Sequence, residues 1–124
     1  LTNFELLINL VINELDKHKI VIVSTVSHLE YMRTQAREKL TNFYEIFLNC
    51  NPYVCEKRDY KNLYKKARRI SLTNEEIFPG ITEPYQKSKQ PDLILNTDKE
   101  SVEESFDKLY QFCFKIIETN LGKF

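Results

Sequence analysis

The sequence lacks several features that would assign it to a class at once. It has no tryptophan and only two glycines, and no apolar run approaches the roughly 20 residues that a membrane-spanning helix needs. Basic and acidic residues number 18 each, so no overall field draws the chain to nucleic acid or to an anionic membrane. The first residues show no basic stretch followed by an apolar signal core. We therefore expect a cytoplasmic protein whose anion-binding sites are local, with neither nucleic acid nor a membrane as partner.

The three cysteines also fail to form a known pattern. Cys50, Cys55 and Cys113 include no Cys-x-x-Cys pair, and no histidine lies nearby to complete a zinc set. We expect reduced, mostly buried thiols and no metal site among these side chains.

Hydrophobic periodicity predicts five helices and three strands. With 124 residues and 42% hydrophobic residues, the chain suits a single domain, residues 1–124, that buries a real core. The helices are predicted over residues 4–15, 29–40, 52–57, 62–69 and 101–118. The strands are predicted over residues 20–23, 43–48 and 92–96. The first is wholly β-branched, which is typical of a parallel strand covered on both faces. The order of elements predicts an α/β fold, a parallel sheet with flanking helices.

In open parallel sheets, ligands bind beyond the carboxyl ends of the strands. The residues that follow the predicted strands are thus candidate pocket positions: Val26, Ser27, Asn49, Cys50, Asn96 and Thr97. Residues 71–90, with Pro79, Gly80 and Pro84, are expected to form a loop or lid.

The most informative segment runs from residue 54 to residue 67 and consists of Val-Cys-Glu-Lys-Arg-Asp-Tyr-Lys-Asn-Leu-Tyr-Lys-Lys-Ala. By charge alone it suits a solvated basic helix. In order of residues it resembles the Val-Cys-Glu-x-Arg-Asp-x-Lys-Gly-Leu-Tyr-Lys-Lys-Ala segment of adenylylsulfate kinases, the P-loop enzymes that phosphorylate the 3′-hydroxyl of adenylylsulfate with ATP. Residues 80–85, Gly-Ile-Thr-Glu-Pro-Tyr, are similar to the family's Gly-Ile-x-x-Pro-Tyr turn. The resemblance implies a P-loop kinase fold with a cationic lid over approximately residues 59–90.

The resemblance also implies roles for single residues. Arg58 would stack on the adenine of ATP, and Thr97 would border that base. Lys61 would contact the phosphate or sulfate group of a nucleotide-like acceptor. Val26 and Ser27 would touch the same acceptor through backbone groups.

Further positions follow from the same comparison. Asn3 and Arg33 match an asparagine and an arginine of the acceptor site. The lid residues would be Lys65, Lys66 and Arg68, which set its field, and Gly80, Ile81, Pro84 and Tyr85. The family implies ATP and Mg²⁺ as cofactors and a homodimer.

The catalytic half of the chemistry is missing from the sequence. Phosphoryl transfer in this class uses a Gly-x-x-x-x-Gly-Lys-Ser/Thr loop, and the only glycines are Gly80 and Gly122. We therefore expect no catalytic or metal-binding residue among the 124. Either the N-terminal part of the domain precedes Leu1 or the P-loop has been lost.

One departure from the family keeps other functions open. Glu30 stands where the family has a substrate-binding arginine, although Arg33 is placed to neutralise it in part. A relative that acts on another nucleotide conjugate, such as cytidine diphosphoramidate in capsule biosynthesis, is one alternative. A non-catalytic module for binding or dimerisation is the other.

Overall fold

The computed structural model describes residues 2–71, 81 and 83–120. The helices and strands in these ranges are α1 (Asn3–Leu15), α2 (Glu30–Lys39), β1 (Ile46–Asn49), α3 (Pro52–Lys57), α4 (Leu63–Ser71), β2 (Leu93–Asn96) and α5 (Val102–Thr119). All five predicted helices are confirmed, with small shifts at their ends. In the part of the chain that the structure describes, no helix has the length and apolar character that a membrane span needs.

The sheet consists of β1 and β2 in the described ranges. The two strands run parallel, with Ile46 opposite Leu93 and Asn49 opposite Asn96. Leu95, at the centre of β2, is only 3% exposed, and α5 packs against this strand. Two of the three predicted strands and their parallel direction are therefore confirmed.

The predicted strand over residues 20–23 is wrong for this structure. These residues form no strand, and Ile20 and Ile22 are 53% and 85% exposed rather than covered. β-Branched residues favour extended backbone, but a strand exists only where a neighbour pairs with its N–H and C=O groups. Among the described residues β1 and β2 pair with each other, and neither pairs with this run.

Local hydrogen bonds explain where the helices begin. In α5 the Ser101 hydroxyl accepts from the Glu104 N–H at 3.1 Å, and the Glu104 carboxylate accepts from the Ser101 N–H at 2.8 Å. α3 begins at Pro52 with the Asn51 side chain accepting from the Tyr53 N–H at 2.9 Å. Such caps satisfy N–H groups that the helix itself leaves without partners.

The long helix α5 is covered on one side only. Leu109, Phe112 and Ile116 are half-buried, whereas Phe106, Tyr110 and Phe114 are exposed and stack along the helix with centroids 6.2 and 6.4 Å apart. We call these last three residues the aromatic ladder. Cys113 lies beside the ladder and is exposed, so the expectation of buried thiols is wrong for it, while Cys50 and Cys55 are half-buried.

Candidate functional site

The carboxyl ends of β1 and β2 are joined by side-chain and backbone hydrogen bonds. The Asn49 amide donates to the Asn96 side-chain oxygen at 2.8 Å, and the Thr97 N–H donates to the Asn49 carbonyl at 3.0 Å. The Asn51 N–H donates to the Asp98 carboxylate at 3.1 Å. The parallel register thus brings together the pocket positions that the sequence predicted after these two strands.

Arg58 reaches this edge of the sheet from the end of α3. Its Nη1 donates to the Thr97 carbonyl oxygen at 3.0 Å, and its side chain is exposed. The two residues predicted to contact the base of ATP are therefore neighbours. A guanidinium that is held at one edge by a backbone acceptor keeps a flat face on which an aromatic base can stack.

Asp59, which follows Arg58, caps the next helix. Its carboxylate accepts from the Leu63 N–H at 2.8 Å and from the Tyr64 N–H at 3.1 Å, and so it caps the first turn of α4. The chain enters that turn through Asn62, whose φ is 55°. Asparagine adopts this left-handed conformation more readily than most residues, which explains how it replaces the glycine of the resembling segment.

A shallow cationic cavity, open to solvent, lies along the start of α4. Its volume is about 450 Å³, and it is lined by Lys61, Asn62, Lys65, Lys66 and Arg69. The Lys61 ammonium lies 5.6 Å from the centroid of the neighbouring Tyr60 ring. Four cations around one concave surface favour an anionic ligand. The predicted lid cations Lys65 and Lys66 thus share one surface with Lys61.

Arg68 is not among the residues that line this cavity. It forms an ion pair with Glu56 of α3, so it ties the cationic helix to its neighbour. The predicted contribution of Arg68 to the positive electrostatic field of the lid therefore has to take the opposite charge of Glu56 into account.

A second group of contacts joins residues 27–30 to residues 83–86. His28 is 6% exposed, and its Nε2 lies 2.6 Å from the Glu83 carboxylate. The Gln86 N–H donates to the His28 carbonyl at 2.8 Å, and the Glu30 N–H donates to the Gln86 side-chain oxygen at 2.7 Å. We call this contact the strand–turn junction. It is the place where the end of the predicted first strand meets the predicted lid turn.

Arg33 lies at the centre of the strand–turn junction. The residue is 7% exposed and donates to the Ser27 carbonyl at 2.5 Å and to the Gln86 carbonyl. Its Nε lies 3.4 Å from the Glu45 carboxylate, which leads into β1. The predicted substrate-binding arginine therefore makes internal contacts with three segments of the chain.

Tyr85 packs between Arg33 and the sheet. The guanidinium carbon of Arg33 lies 5.1 Å from the Tyr85 ring centroid, and the ring stacks on Phe47 at 5.8 Å with an interplanar angle of 15°. Burial raises the pKa of the Tyr85 phenol above its usual value, and the Arg33 charge opposes that rise. Tyr85 thus anchors the lid turn to β1.

Glu30 is paired, but with another residue than the sequence suggested. Its carboxylate lies 3.5 Å from the Lys89 ammonium. Arg33, which was expected to neutralise Glu30, pairs with Glu45 instead, because its side chain turns into the strand–turn junction. That expectation is corrected.

The remaining predicted residues lie around these groups. Val26 is 55% exposed, and Ser27, with φ at 42°, turns the chain toward the junction. Asn3 is exposed at the start of α1, a helix that packs against α2. Ile81 is half-buried and Pro84 is exposed. Gly80, and the lid over residues 72–80 and 82, lie outside the described residues.

No metal centre is formed by the described part of the chain. Among those residues, no three His, Cys, Asp or Glu side chains converge as ligands. The carboxylates of Asp98, after β2, and of Asp59, before α4, both accept backbone N–H bonds.

The family of the chain is shown by comparison with known proteins. The model of the adenylylsulphate kinase family matches residues 4–96. The chain belongs to this family. No solved structure matches it.

Several adenylyl-sulfate kinases are similar to this chain. The protein of that name from Halothermothrix orenii is 43% identical over 93 residues, which are 75% of this chain and 49% of the relative. The one from Rippkaea orientalis is 41% identical over 92 residues, or 74% and 49% of the two chains. That from Microcystis aeruginosa is 40% identical over 104 residues, or 83% and 56%. The chain thus spans about half the length of the curated relatives it matches.

Sequence reasoning did not find most of the strand–turn junction. His28 was assigned no partner, and Glu83, Gln86 and Lys89 carried no signal, since their partners lie more than 50 residues away in the chain. Asp59 could have been found, because a carboxylate shortly before a helical pattern is a known start signal.

Proposed function

We propose that this protein is an ATP-dependent kinase that phosphorylates the 3′-hydroxyl of adenylylsulfate, a reaction of sulfate activation. The observation that carries the proposal is the family match over residues 4–96, together with relatives named adenylyl-sulfate kinase at about 40% identity. Because the chain spans about half of those relatives, the activity is proposed for the protein as a whole. A cytoplasmic location is part of the proposal, since ATP is the phosphoryl donor.

The donor nucleotide would bind beyond the carboxyl ends of β1 and β2. The 3.0 Å bond between Arg58 and Thr97 supports this assignment, because it fixes an exposed guanidinium where a base can stack. ATP supplies the phosphoryl group, and Mg²⁺ neutralises its charge. We assign no contact with the ATP phosphates or with Mg²⁺ to the described residues, in which no metal-ligand cluster is present.

A complete P-loop kinase fold is part of the same proposal. Residues 20–23 support it, because Ile20 and Ile22 are apolar and exposed among the described residues, as expected of a surface that a further segment covers.

The acceptor would lie between the strand–turn junction and the cationic cavity. Lys61 would contact the sulfate or phosphate group of the acceptor. Lys65 and Lys66 would increase the electrostatic attraction for that group without each binding a particular atom. Val26 and Ser27 would bind it through backbone groups. Asn3 and Arg33 are assigned here by the family pattern, with Arg33 holding Ser27 in position through its 2.5 Å hydrogen bond.

The negative charge of Glu30 is compatible with adenylylsulfate as the acceptor in this proposal. Its carboxylate is paired with Lys89 at 3.5 Å, so the local charge at the acceptor side is offset rather than negative. The named relatives also favour adenylylsulfate over another nucleotide conjugate.

The first experiment measures ATP consumption with adenylylsulfate and with a panel of other nucleotide conjugates, on protein whose intact mass has been determined. We expect turnover with adenylylsulfate. Turnover of another conjugate alone would replace the substrate, and no turnover by protein that carries a P-loop would favour a binding module. Sedimentation of the same sample tests for the homodimer.

Matched variants then test the residue assignments. Lys61→Ala should lower kcat/KM for adenylylsulfate by about tenfold or more, which corresponds to about 1.4 kcal/mol of transition-state stabilisation. Arg58→Ala should act on the KM for ATP. Lys39→Ala, which removes an exposed cation at the end of α2, is the control. Equal effects of Lys39→Ala and Lys61→Ala would refute the assignment of Lys61.

A further inference from the structure

Both ends of the short helix α3 are attached to the turn that follows β2. At the start of α3, the Asp98 carboxylate accepts from the Asn51 N–H at 3.1 Å. At the end of α3, the Thr97 carbonyl oxygen accepts from Nη1 of Arg58 at 3.0 Å. Two adjacent residues of one turn therefore hold the two ends of one helix.

Hydrogen bonds within the turn fix the position of these two adjacent residues. The Asn96 carbonyl accepts from the Lys99 N–H at 3.0 Å and from the Glu100 N–H at 2.9 Å. The Asn96 N–H donates to the Glu100 carboxylate at 2.7 Å. The Thr97 N–H donates to the Asn49 carbonyl at the end of β1, at 3.0 Å. The turn is thus attached to both strands and gives α3 a fixed support.

The helix α3 depends on contacts outside itself for its direction. It has six residues, Pro52–Lys57, and so short a segment does not form a stable helix alone. The Asn51 side chain caps the first turn of the helix by accepting from the Tyr53 N–H at 2.9 Å, but this bond does not join the helix to the sheet. The bond between the Asn51 N–H and the half-buried Asp98 does join them.

We propose that Asp98 is a positioning residue for the binding of ATP. Its carboxylate holds the start of α3 on the turn, so that Arg58, at the other end of the helix, stays beside the Thr97 carbonyl with its planar face available for a base. Asp98 acts through Arg58 and is assigned no contact with the nucleotide. The inference rests on the proposed function, in which Arg58 stacks on adenine.

The contact with Asp98 lowers the entropic cost of binding the base. A guanidinium that a backbone acceptor already holds loses less conformational freedom when a base stacks on it than a free one does. At a rise of 1.5 Å per residue, roughly 10 Å of helix separates Asn51 from Arg58, so a small rotation at the start displaces the guanidinium at the end. Without Asp98, part of the binding free energy of ATP would be spent on ordering Arg58.

The first test compares the kinetics of Asp98→Ala and Asp98→Asn in the whole protein, with adenylylsulfate as acceptor. Asparagine keeps an oxygen that accepts from the Asn51 N–H, whereas alanine removes it. We expect Asp98→Ala to raise the KM for ATP by about fivefold or more and Asp98→Asn by about twofold or less, with kcat unchanged in both. A merely structural role would lower kcat instead, because it reduces the folded fraction and leaves the KM of the folded molecules unchanged.

Further variants control this comparison. Asp98→Glu keeps the charge but displaces the carboxylate by one methylene group, and it should also raise the KM for ATP. It replaces Asp98→Ala if that variant does not fold. Asp107→Ala removes an exposed carboxylate on α5 and should leave the KM unchanged. An effect of Asp107→Ala as large as that of Asp98→Ala would overturn the proposal.

A double variant shows whether Asp98 acts through Arg58. If it does, the KM for ATP of the double variant of Asp98→Ala and Arg58→Ala should lie within about twofold of that of Arg58→Ala alone. Effects of the two substitutions that multiply would overturn the proposal.

Titration with ATP and Mg²⁺ alone separates this inference from the proposed reaction. The calorimetric dissociation constant requires no acceptor, and we expect Asp98→Ala to bind ATP more weakly than Asp98→Asn and the wild type. Competition by tripolyphosphate, which has no base, should be equal in all three. If Arg58→Ala weakens ATP binding and Asp98→Ala does not, the inference fails while the proposed function stands. If ATP binding follows the expected order but adenylylsulfate is not phosphorylated, the proposed acceptor fails while the inference stands.

Discussion

The imidazole Nε2 of His28 lies 2.6 Å from a carboxylate oxygen of Glu83, 55 residues further along the chain. His28 is 6% exposed, whereas the Glu83 side chain is 40% exposed. The pair therefore lies where the strand–turn junction meets solvent, with Glu83 on the exposed side of His28.

The junction should show energetic coupling between these two residues. In a double-mutant cycle of His28→Ala and Glu83→Ala, we expect a coupling free energy of about 1 kcal/mol, measured by denaturant unfolding. The control is the exposed pair of His18 and Glu14, whose atoms lie 3.3 Å apart on α1 and its extension. Its coupling should be roughly 0.3 kcal/mol. Equal coupling free energies in both pairs would show that the His28–Glu83 contact stabilises the protein no more than an exposed pair does.

Arg33 should be important for stability as well as for the proposed acceptor site. Arg33→Ala leaves the Glu45 carboxylate, which is 13% exposed, without its buried partner, and we expect a loss of about 3 kcal/mol in the free energy of unfolding. Arg33→Lys should lose less, since it keeps the charge but not the planar fork.

Arg37 provides the control for Arg33 on the same helix. It is 40% exposed and pairs with Asp92 at 3.0 Å and with the other oxygen of the Glu45 carboxylate at 3.5 Å. Because its charge is screened by solvent, Arg37→Ala should cost about 1 kcal/mol or less. If Arg33→Ala lowers the free energy of unfolding no more than Arg37→Ala does, the contacts of Arg33 make no special contribution to stability. The free energy of unfolding is measured because a loss of activity would combine the effect of Arg33 on stability with its proposed effect at the acceptor site.

Asn62 should tolerate glycine and resist alanine. Its φ of 55° costs a residue with a Cβ atom about 1 kcal/mol or more, and asparagine less than alanine. We expect Asn62→Ala to destabilise the protein by about 1 kcal/mol and Asn62→Gly to be close to neutral. The control is Asn9→Ala in α1, where alanine should be neutral or slightly stabilising. A loss with glycine as large as that with alanine would point to a side-chain role of Asn62.

The stability should fall in acid through Glu100. Hydrogen bonds from Lys108 at 2.9 Å and from the Asn96 N–H at 2.7 Å hold the pKa of Glu100 below its ordinary value of 4.5. A lowered folded-state pKa gives stability that is present above the unfolded-state pKa and is lost as the pH falls through the folded-state pKa.

The unfolding midpoints of the wild type and of Glu100→Gln measure this effect. Their difference should be largest near neutral pH and should shrink below about pH 4.5. Lys108→Met should flatten the same pH dependence. A difference that is constant with pH would exclude the protonation of Glu100 as its cause.

The sequence predicted the helices because their signals are local. In α1 the apolar spacing from Phe4 to Leu15 and the cap at Thr2 lie within one segment, and the structure follows them. The parallel direction of β1 and β2 could be predicted as well, since a helical connection between short apolar runs rarely permits another arrangement.

Features that depend on a distant partner were beyond such signals. Residues 20–23 have the composition of a strand, but composition does not specify a neighbour, and among the described residues the run pairs with none. Arg33 was predicted to lie near Glu30 by helical spacing, yet Glu45 and Gln86 determine its position. Charge and spacing describe one segment at a time, whereas the junction depends on three.

The strand–turn junction also determines how this protein can be recombined with its relatives. A turn transplanted alone would place foreign side chains opposite His28 and Glu30, whose partners are Glu83 and Gln86. A chimera that exchanges residues 27–30 and 83–86 together keeps the His28–Glu83 and Glu30–Gln86 contacts intact. Crossover points for hybrid proteins therefore lie before Ser27 and after Lys89, so that Glu30 also keeps its ion pair.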